Sequence, residues 1–470
     1  MKNYDYLNKS TEYTISSVKI ESTTNKNFYD LIFLYDSIRI HESIFEPFIY
    51  GSISVIDSNG IIEALPIVGE ETISFRIKKL ASDNKWFEVI GSVYSITDRT
   101  RDPKKKEVEE YTINFISYNA LSNQNIRISK TYDCLISKSI EEISKNLQLK
   151  KIESVSENLD ENPKLYENIY IEPSTQKTKI NIPNLRPVEA INFLSRFVYS
   201  QTGGSDKPDQ DPFGTTYMFY QTRQGFFYQS IENNIKNKKG KVKHAFTIMN
   251  DPNVKTEPLL VEKSELFTIM DYRFLNIYDN FESSGNGYYG GTNIGYDTLT
   301  KSVHEYKFNY SDKFDNMVHI DNNNTNNEDF IYCKNSEKSY IKTLPTKKGC
   351  TQSQYISEKD ESKDIFYMNE DKIDIIRHIK KRRFDDGLAV EITIPSNIYL
   401  NVNDIVKLNF PSFERKDNHK EFNNDKYFSG NYLVVGIEHI LSNIEDSDWI
   451  MKVTLMKDSF KSKVEKKKNK

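Results

Sequence analysis

GEETISFRI (69–77) and VNDIVKLNF (402–410) are the two stretches on which the fold turns. Each begins acidic and then sets apolar side chains at alternate positions: Ile73, Phe75 and Ile77 in the first, Val406, Leu408 and Phe410 in the second. A period of two marks a half-buried β-strand. Further along, each is followed by an alternating strand opened by a glycine, GSVYSITDR from Gly91 and GNYLVVGIEHI from Gly430. A third strand closes each set, EEYTINFIS (109–117) and DWIMKVTLMK (448–457). The order acidic strand, glycine strand, loop, strand therefore occurs twice. Any two antiparallel meanders look somewhat alike. A true repeat, by contrast, means two copies of one barrel in one chain. Three such chains would set six similar barrels in a ring, and a threefold object could meet a sixfold one.

Outward from the first set, Tyr13 to Ser117 reads as strand after strand, separated by SNG, ASDNK and RTRDPKKKE. This density suggests a small antiparallel barrel or sandwich. FEPFIYGSISVIDSNGIIEALPIVGEE (45–71) interrupts it with one or two helical turns at IIEAL, ended by Pro66 and Gly69. After Tyr118 the character changes. Ile136, Ile140, Ile143 and Leu147 predict a helix, with Ser137 or Ser139 as its cap. NLRPVEAINFLSRFVYS predicts another, with Pro187 in its first turn and Ala190, Ile191, Leu194, Phe197 and Val198 as its buried face. QTGGSDKPDQDPFG reads as a loop, and TYMFYQTRQGFFYQS as two strands about a turn at Arg223 to Gly225. Residues 231–243 read as a solvated basic loop, and GYYGGTNIGYD as a glycine-rich turn cluster or flexible loop. Residues 315–365 read as a long surface insertion and DKIDIIRHIKKRRFDDG as a solvated basic helix ended at Gly387.

The expected fold is thus α+β, mainly β: two related antiparallel β-barrel domains of tube type with an intervening α/β domain. The segments are 1–118 for the first barrel and 119–265 for the helix-containing domain. Residues 266–310 with 381–460 form the second barrel, 311–380 an insertion and helix, and 461–470 a disordered basic tail.

The chain of 470 residues has a net charge of −4, so its overall field makes no case for nucleic-acid binding. Aromatics reach 13%, with 30 Tyr and 27 Phe, which excludes a disordered composition. Cys134, Cys333 and Cys350 are odd in number and scattered, which argues for ordinary thiols and folding in a reducing compartment. The N-terminus lacks a signal-peptide core and no run is long enough to span a membrane, so a cytoplasmic origin without membrane insertion is expected. No HExxH, CxxC, GxSxG or P-loop occurs, and the seven histidines fall at no metal-binding spacing. His439, alternating with Ile437, reads as an interface or strand-edge residue. No catalytic, metal or cofactor-binding residue is expected, and no cofactor.

FEPFIYGSISVID, LPIVGEETISFRI, PNLRPVEAINFLSRF, YQTRQGFFYQSI, GYYGGTNIGYD, NVNDIVKLNFPS, FSGNYLVVGIEHI and MKVTLMKDSF, in that order, span most of the chain. Their succession resembles the baseplate hub protein of contractile-tailed bacteriophages and, more distantly, the hub part of type VI secretion spike proteins. The resemblance implies a structural subunit without catalysis. It implies a homotrimer whose six barrels join a hexameric tail tube, or a tube protein next to the hub, to a trimeric central spike. Baseplate wedge proteins are implied as neighbours, and the tape-measure protein and DNA would pass through the channel. Its place would be the virion tail baseplate, assembled in a host cytoplasm. Two rivals belong to other classes: a phage-borne cell-wall hydrolase, and a glycan-binding receptor module suggested by the abundant Tyr.

Overall fold

A computed structural model describes residues 11–22, 28–64, 67–69, 71–79, 86–101, 108–152, 167–174, 176–200, 214–238, 240–242, 244–248, 267–297, 301–325, 331–346, 354–355, 370–412, 424–443 and 448–463. The expected loop at 201–213, most of the tail from Lys461 to Lys470, and Cys350 lie outside the described residues.

The first part of the chain forms β1 (Tyr13–Glu21), β2 (Phe28–Asp30), β3 (Tyr35–Ser43), β4 (Tyr50–Asp57), β5 (Thr72–Lys79), β6 (Trp86–Arg101) and β7 (Glu109–Ile116). The central part forms β8 (Ile128–Leu135), β9 (Lys150–Ile152), β10 (Asn168–Ile171), β11 (Gln176–Leu185), β12 (Tyr217–Thr222) and β13 (Gly225–Ser230). Then follow β14 (His244–Ile248), β15 (Thr268–Ile269), β16 (Asp271–Asn276), β17 (Gly290–Asp297), β18 (Ser302–Asn309), β19 (Asn323–Asn324), β20 (Ile341–Thr346) and β21 (Gln354–Tyr355). The last part forms β22 (Leu388–Pro395), β23 (Ile405–Asn409), β24 (Gly430–Ser442), β25 (Asp448–Lys457) and β26 (Ser459–Phe460).

Pairing repeats. β5, β6 and β7 make one antiparallel meander, and β23, β24 and β25 make another. In the first half β7 returns to β4 and β4 to β3; in the second β25 returns to β22 and β22 to β16. The order β3–β4–β7–β6–β5 thus recurs as β16–β22–β25–β24–β23. The next strand breaks the likeness: β1 joins β5 antiparallel, whereas β14 joins β23 parallel.

The expectation of two separate β-barrel domains is corrected here. Both halves belong to one 14-stranded, mostly antiparallel sheet. The reason is the length of β24. Its first residues, Gly430–Leu433, pair with β23, and its last, Gly436–Ser442, pair with β3. Each half nevertheless has its own apolar core. Ile73, Phe75 and Ile77 lie on β5 in the first, with Leu441 and Trp449 supplied by the β24–β25 hairpin. Val406 and Leu408 on β23, and Phe410 just beyond it, lie in the second.

The acid that opens each repeat has a local task. Glu71 precedes β5 and accepts from the backbone N–H groups of Val68 and Gly69, both at 2.9 Å. Asp404 precedes β23 and accepts from Asn401 N–H at 3.0 Å. Each carboxylate satisfies donors of the preceding connector, which the sheet cannot reach. Gly430 does open β24, but Gly91 lies inside β6, since Trp86–Ile90 already pair with β5. Its smallness serves packing. The Phe115 ring on β7 lies against both Gly51 and Gly91, where an added Cβ would come within 2.5 Å and 2.9 Å of it.

In the central part, Ile136, Ile140, Ile143 and Leu147 are buried by the helix Ile136–Asn146 and its end. Ser137 and Ser139 do not cap it; both are buried within it, and the Ser174 hydroxyl accepts from Ser137 N–H instead. The helix Pro187–Leu194 starts at Pro187, with Glu189 accepting from Arg186 N–H at 2.9 Å. Three further readings change. Residues Ile231–Lys238 are a helix, because Ile231 and Ile235 share one buried face. Gly290–Asp297 is strand β17, not a turn cluster. An added Cβ at Gly291 would meet Ile375 at 2.9 Å, so glycine lets the helix Glu370–Asp385 sit on the strand. That helix is not a solvated basic face: Lys380 and Arg383 are buried, Arg383 between the rings of Tyr288 and Tyr310. Nor is 315–365 all surface, since Ile320 lies in the second core.

Gly51→Ala is expected to destabilise the chain by about 1–3 kcal/mol, because the backbone oxygen of Arg39 also stands 2.3 Å from the added carbon. Urea unfolding checks this; an unchanged midpoint would remove the packing argument.

Candidate functional site at the joint of the two halves

β3 and β24 meet where the halves meet. Along β3 the inward positions are Ile38, Ile40 and Glu42; along β24 they are Ile437, His439 and Leu441. An acid and a histidine therefore stand where an apolar side chain is the rule. Glu42 and His439 are 1% and 0% exposed. His439 is in the sheet interior, so its reading as an interface or edge residue is corrected.

Trp449 Nε1 donates to His439 Nδ1 at 3.3 Å, which leaves the ring proton on Nε2. Nε2 faces Glu42 Oε1 at 3.4 Å. The third member comes from the β12–β13 turn of the central part. Arg223 Nε lies 2.9 Å from Glu42 Oε1, and Arg223 N–H donates to Oε2 at 3.3 Å. Its guanidinium also donates to the carbonyls of Ile398 and Leu400 and lies over the Phe87 ring at 5.0 Å. Three distant stretches thus converge on one carboxylate. Burial works to raise the Glu42 carboxyl, but Arg223 and His439 outweigh it and hold it below its ordinary value. Burial lowers His439 against the pull of Glu42, which keeps the imidazole neutral.

The outward side of the same strands is polar. Tyr50, His41, Glu438 and Lys452 are cross-strand neighbours in one row running from β4 to β25. Arg273, Glu391 and Thr454 form part of the next row, on β16, β22 and β25. Arg273 Nη2 lies 3.1 Å from Glu391, while Arg39 and His41 approach Glu438 only to 3.8 Å. Charges of both signs alternate along this face.

A second buried acid, Glu172, follows β10 in the central part. It accepts from Ser230 N–H at 2.6 Å and from the Ser230 hydroxyl at 3.0 Å. Burial pushes its carboxyl up to about 7, against those hydrogen bonds. No group of three or more His, Cys, Asp or Glu side chains able to hold a metal occurs among the described residues. No helix among them is long and apolar enough to cross a membrane. Of the residues singled out in sequence, the two triplets on and beside β5 and β23 stay apart, one in each core. Of the joint residues, sequence reasoning set His439 at an edge and Arg223 only in a turn, and missed Glu42. Glu42 and His439 had a signal, being polar at inward positions of alternating strands. Arg223, in a turn, had none.

No protein-family model matches the sequence, and no curated protein does. Solved structures do. The 43 kDa tail protein of prophage MuSo2 from Shewanella oneidensis superposes with a TM-score of 0.50 over 95% of this chain and 100% of its own, at 8% identity. The chain shares its fold with a phage tail protein. The tail protein from Neisseria meningitidis MC58 gives a TM-score of 0.49 at 8% identity over 95% of this chain and 97% of its own. A chain of the Francisella PdpA–VgrG complex gives 0.44 at 11% identity over 97% of this chain and 59% of its own. The resemblance read from the sequence is met at the level of the fold.

Arg223→Met should destabilise the chain by about 3–5 kcal/mol, since it strands the Glu42 charge in the interior. Glu42→Gln in the same chain should restore part of the loss. Denaturant unfolding of both variants checks this, and additive losses would separate the two residues. Glu172 gives a pH test. A folded-state value raised from 4.5 to about 7 means a contribution to stability that is full below 4.5 and lost as pH rises through about 7. Glu172→Gln should therefore gain on the wild type between pH 5 and pH 8, by up to roughly 3 kcal/mol. Melting curves across that range check it; a constant difference would contradict it.

Proposed function

We propose that this chain is a structural subunit of a phage-tail baseplate hub, and that three copies close a ring with pseudo-sixfold symmetry. The observation that carries the reading is the strand order β3–β4–β7–β6–β5 repeated as β16–β22–β25–β24–β23 within one sheet. A chain with two like halves supplies six like units when three copies assemble.

In this reading each half curls into a barrel. Two sets of contacts support that. A bridge between Glu12 and Asp448 brings the start of β25 to the segment before β1. In the second half, Thr247 N–H donates to Phe267 O and Met270 N–H to Thr393 O, which ties 267–270 to both β14 and β22. The lobes are 1–118 and 266–310 with 381–460, joined by 244–248 through the pairing of β14 with β23. Residues 119–265 form the central domain and 311–380 the insertion.

The ring contact is assigned to the sheet edges that are unpaired among the described residues. On and just after β16, Leu275, Ile277, Tyr278 and Phe281 are exposed, Phe281 to 85%; on and just after β2, Phe28 and Phe33 are exposed, Phe33 to 90%. Exposed apolar edges call for cover. Edges at opposite ends of one sheet give a head-to-tail contact, which closes into a ring when the rotation allows.

The outward polar rows of β3, β24 and β25 are assigned to the channel wall. They carry charges of both signs, so the wall holds a passing polyanion weakly. The tape-measure protein and then DNA would pass along it, with the tail tube above, the central spike below and wedge proteins outside. The chain performs no catalysis in this reading and resides in the virion baseplate.

Light scattering of the purified chain, alone and with its spike protein, tests the proposal. The expected mass is three chains in at least the second case, and Leu275→Asp with Phe281→Asp should return it to one chain without loss of fold. A monomer under both conditions would overturn the proposal. Clearing of a cell-wall suspension by the pure chain would replace it with the hydrolase reading.

A further inference from the structure

Where β3 ends beside β24, the outward face of the sheet is indented by a groove of about 230 Å³. Its floor is Gly436 with the backbone of Val435 and Ile437, whose side chains face the core; its walls are Glu438, Glu391 and Lys452, and its rim is Phe45, Tyr50 and His41. The groove exists because residue 436 has no side chain, and neither a positive φ nor a tight packing contact demands that. Gly436 does not take a positive φ, although a bulge lies between Val434 and Gly436. A Cβ built there would touch only Glu42 O and Thr454 at 3.7 Å or more, an ordinary contact. This differs from Gly51, where packing excludes a larger residue. Glycine inside a strand weakens it and is found at bulges and where a ligand or another backbone approaches closely; here a bulge and an open groove coincide.

The lining says what approaches. Glu438 is loosely engaged, with Arg39 and His41 no nearer than 3.8 Å. Tyr50 is stacked on His41 at 4.9 Å between ring centres, so the rim presents flat aromatic surface. A floor of bare backbone, an aromatic rim and an under-used carboxylate suit a long side chain that lies flat and ends in a cationic head. Two acids on the walls disfavour a phosphate backbone.

We infer that the groove over Gly436 is a binding site for a long basic side chain, arginine foremost, carried by a protein segment lying across the sheet. The inference does not depend on the oligomeric state proposed above.

The test titrates the peptide acetyl-Gly-Ser-Arg-Ser-Gly-amide into the full chain with methyl-labelled methionines, following Met456 at the groove by NMR. The Met456 signal should shift saturably, and the same peptide with citrulline in place of arginine should leave it unmoved. Glu438→Gln with Glu391→Gln should weaken binding at least tenfold. Gly436→Leu should abolish it while the melting temperature stays within a few degrees of wild type. Absence of saturation, equal binding of the citrulline peptide, or undiminished binding by Gly436→Leu would each overturn the inference. A single-stranded oligonucleotide that shifts Met456 in the same way would overturn the choice of a protein ligand.

Discussion

The Glu42 carboxylate is the point on which the arrangement of the chain depends. It lies in the first half, His439 in the second, and Arg223 in the central part. Backbone pairing alone does not fix how these parts sit, because β24 and β3 would pair equally well one step out of register on hydrogen bonds alone. A shift by one residue would turn over one of the two strands, sending Glu42 outward and Arg39 and His41 inward, or His439 outward and Glu438 inward, and would part the two buried groups. The buried charges therefore act as a register mark. Such groups add little net stability when paired, but exclude the alternatives in which they are unpaired. The Arg223 side chain extends the same logic to the third part. Its donors are spent on Glu42 and on the carbonyls of Ile398 and Leu400, so the β12–β13 turn has one place to dock.

The repeated strand order and this shared joint pull in different directions. Duplication makes two units that resemble each other, while β24 and β25 make them inseparable by contributing to both cores. Leu441 and Trp449 belong to the first core; Leu433, Val434 and Leu455 on the same two strands belong to the second. The halves are also unequal at their last strand, antiparallel for β1 and parallel for β14. Parallel strands need a crossover, and β14 arrives after the whole central part rather than from a hairpin. A pair built this way is similar in its strand order yet distinct at its margins.

Much of the strand content was legible because period-two alternation in TISFRI, YTINFI or WIMKVTLM needs no tertiary knowledge. What was not legible shares a cause: a residue whose local meaning is reversed by a distant partner. GGTNIGYD looks like a turn until the helix Glu370–Asp385 is laid on it, at which point glycine is the residue that fits a strand there. KKRR looks solvated until the rings of Tyr288 and Tyr310 close around Arg383. IENNIKNK was misread for a nearer reason, since its lysines obscured the spacing of Ile231 and Ile235. The joint was half visible, as charges at inward strand positions, but the third member came from a turn and left no trace in periodicity.

The composition itself follows from the same need for specified contacts. A chain with a mean hydropathy of −0.65 builds its cores mainly from isoleucine, valine and leucine, and sets buried tyrosines among them. A buried tyrosine contributes a large apolar body but must place its hydroxyl. Tyr220 on β12 receives hydrogen bonds from Gln229 and from Asn403, both at 2.6 Å, and the second of these joins the central part to the connector before β23. Tyr432 on β24 donates to Phe428 O at 2.6 Å, and Tyr228 meets Ser195 at 3.1 Å. Leucine at these positions would fill the space without choosing a neighbour. With tyrosine, each core contact also specifies which segment lies beside it, so a polar sequence defines a single packing of three parts where an aliphatic one would allow several.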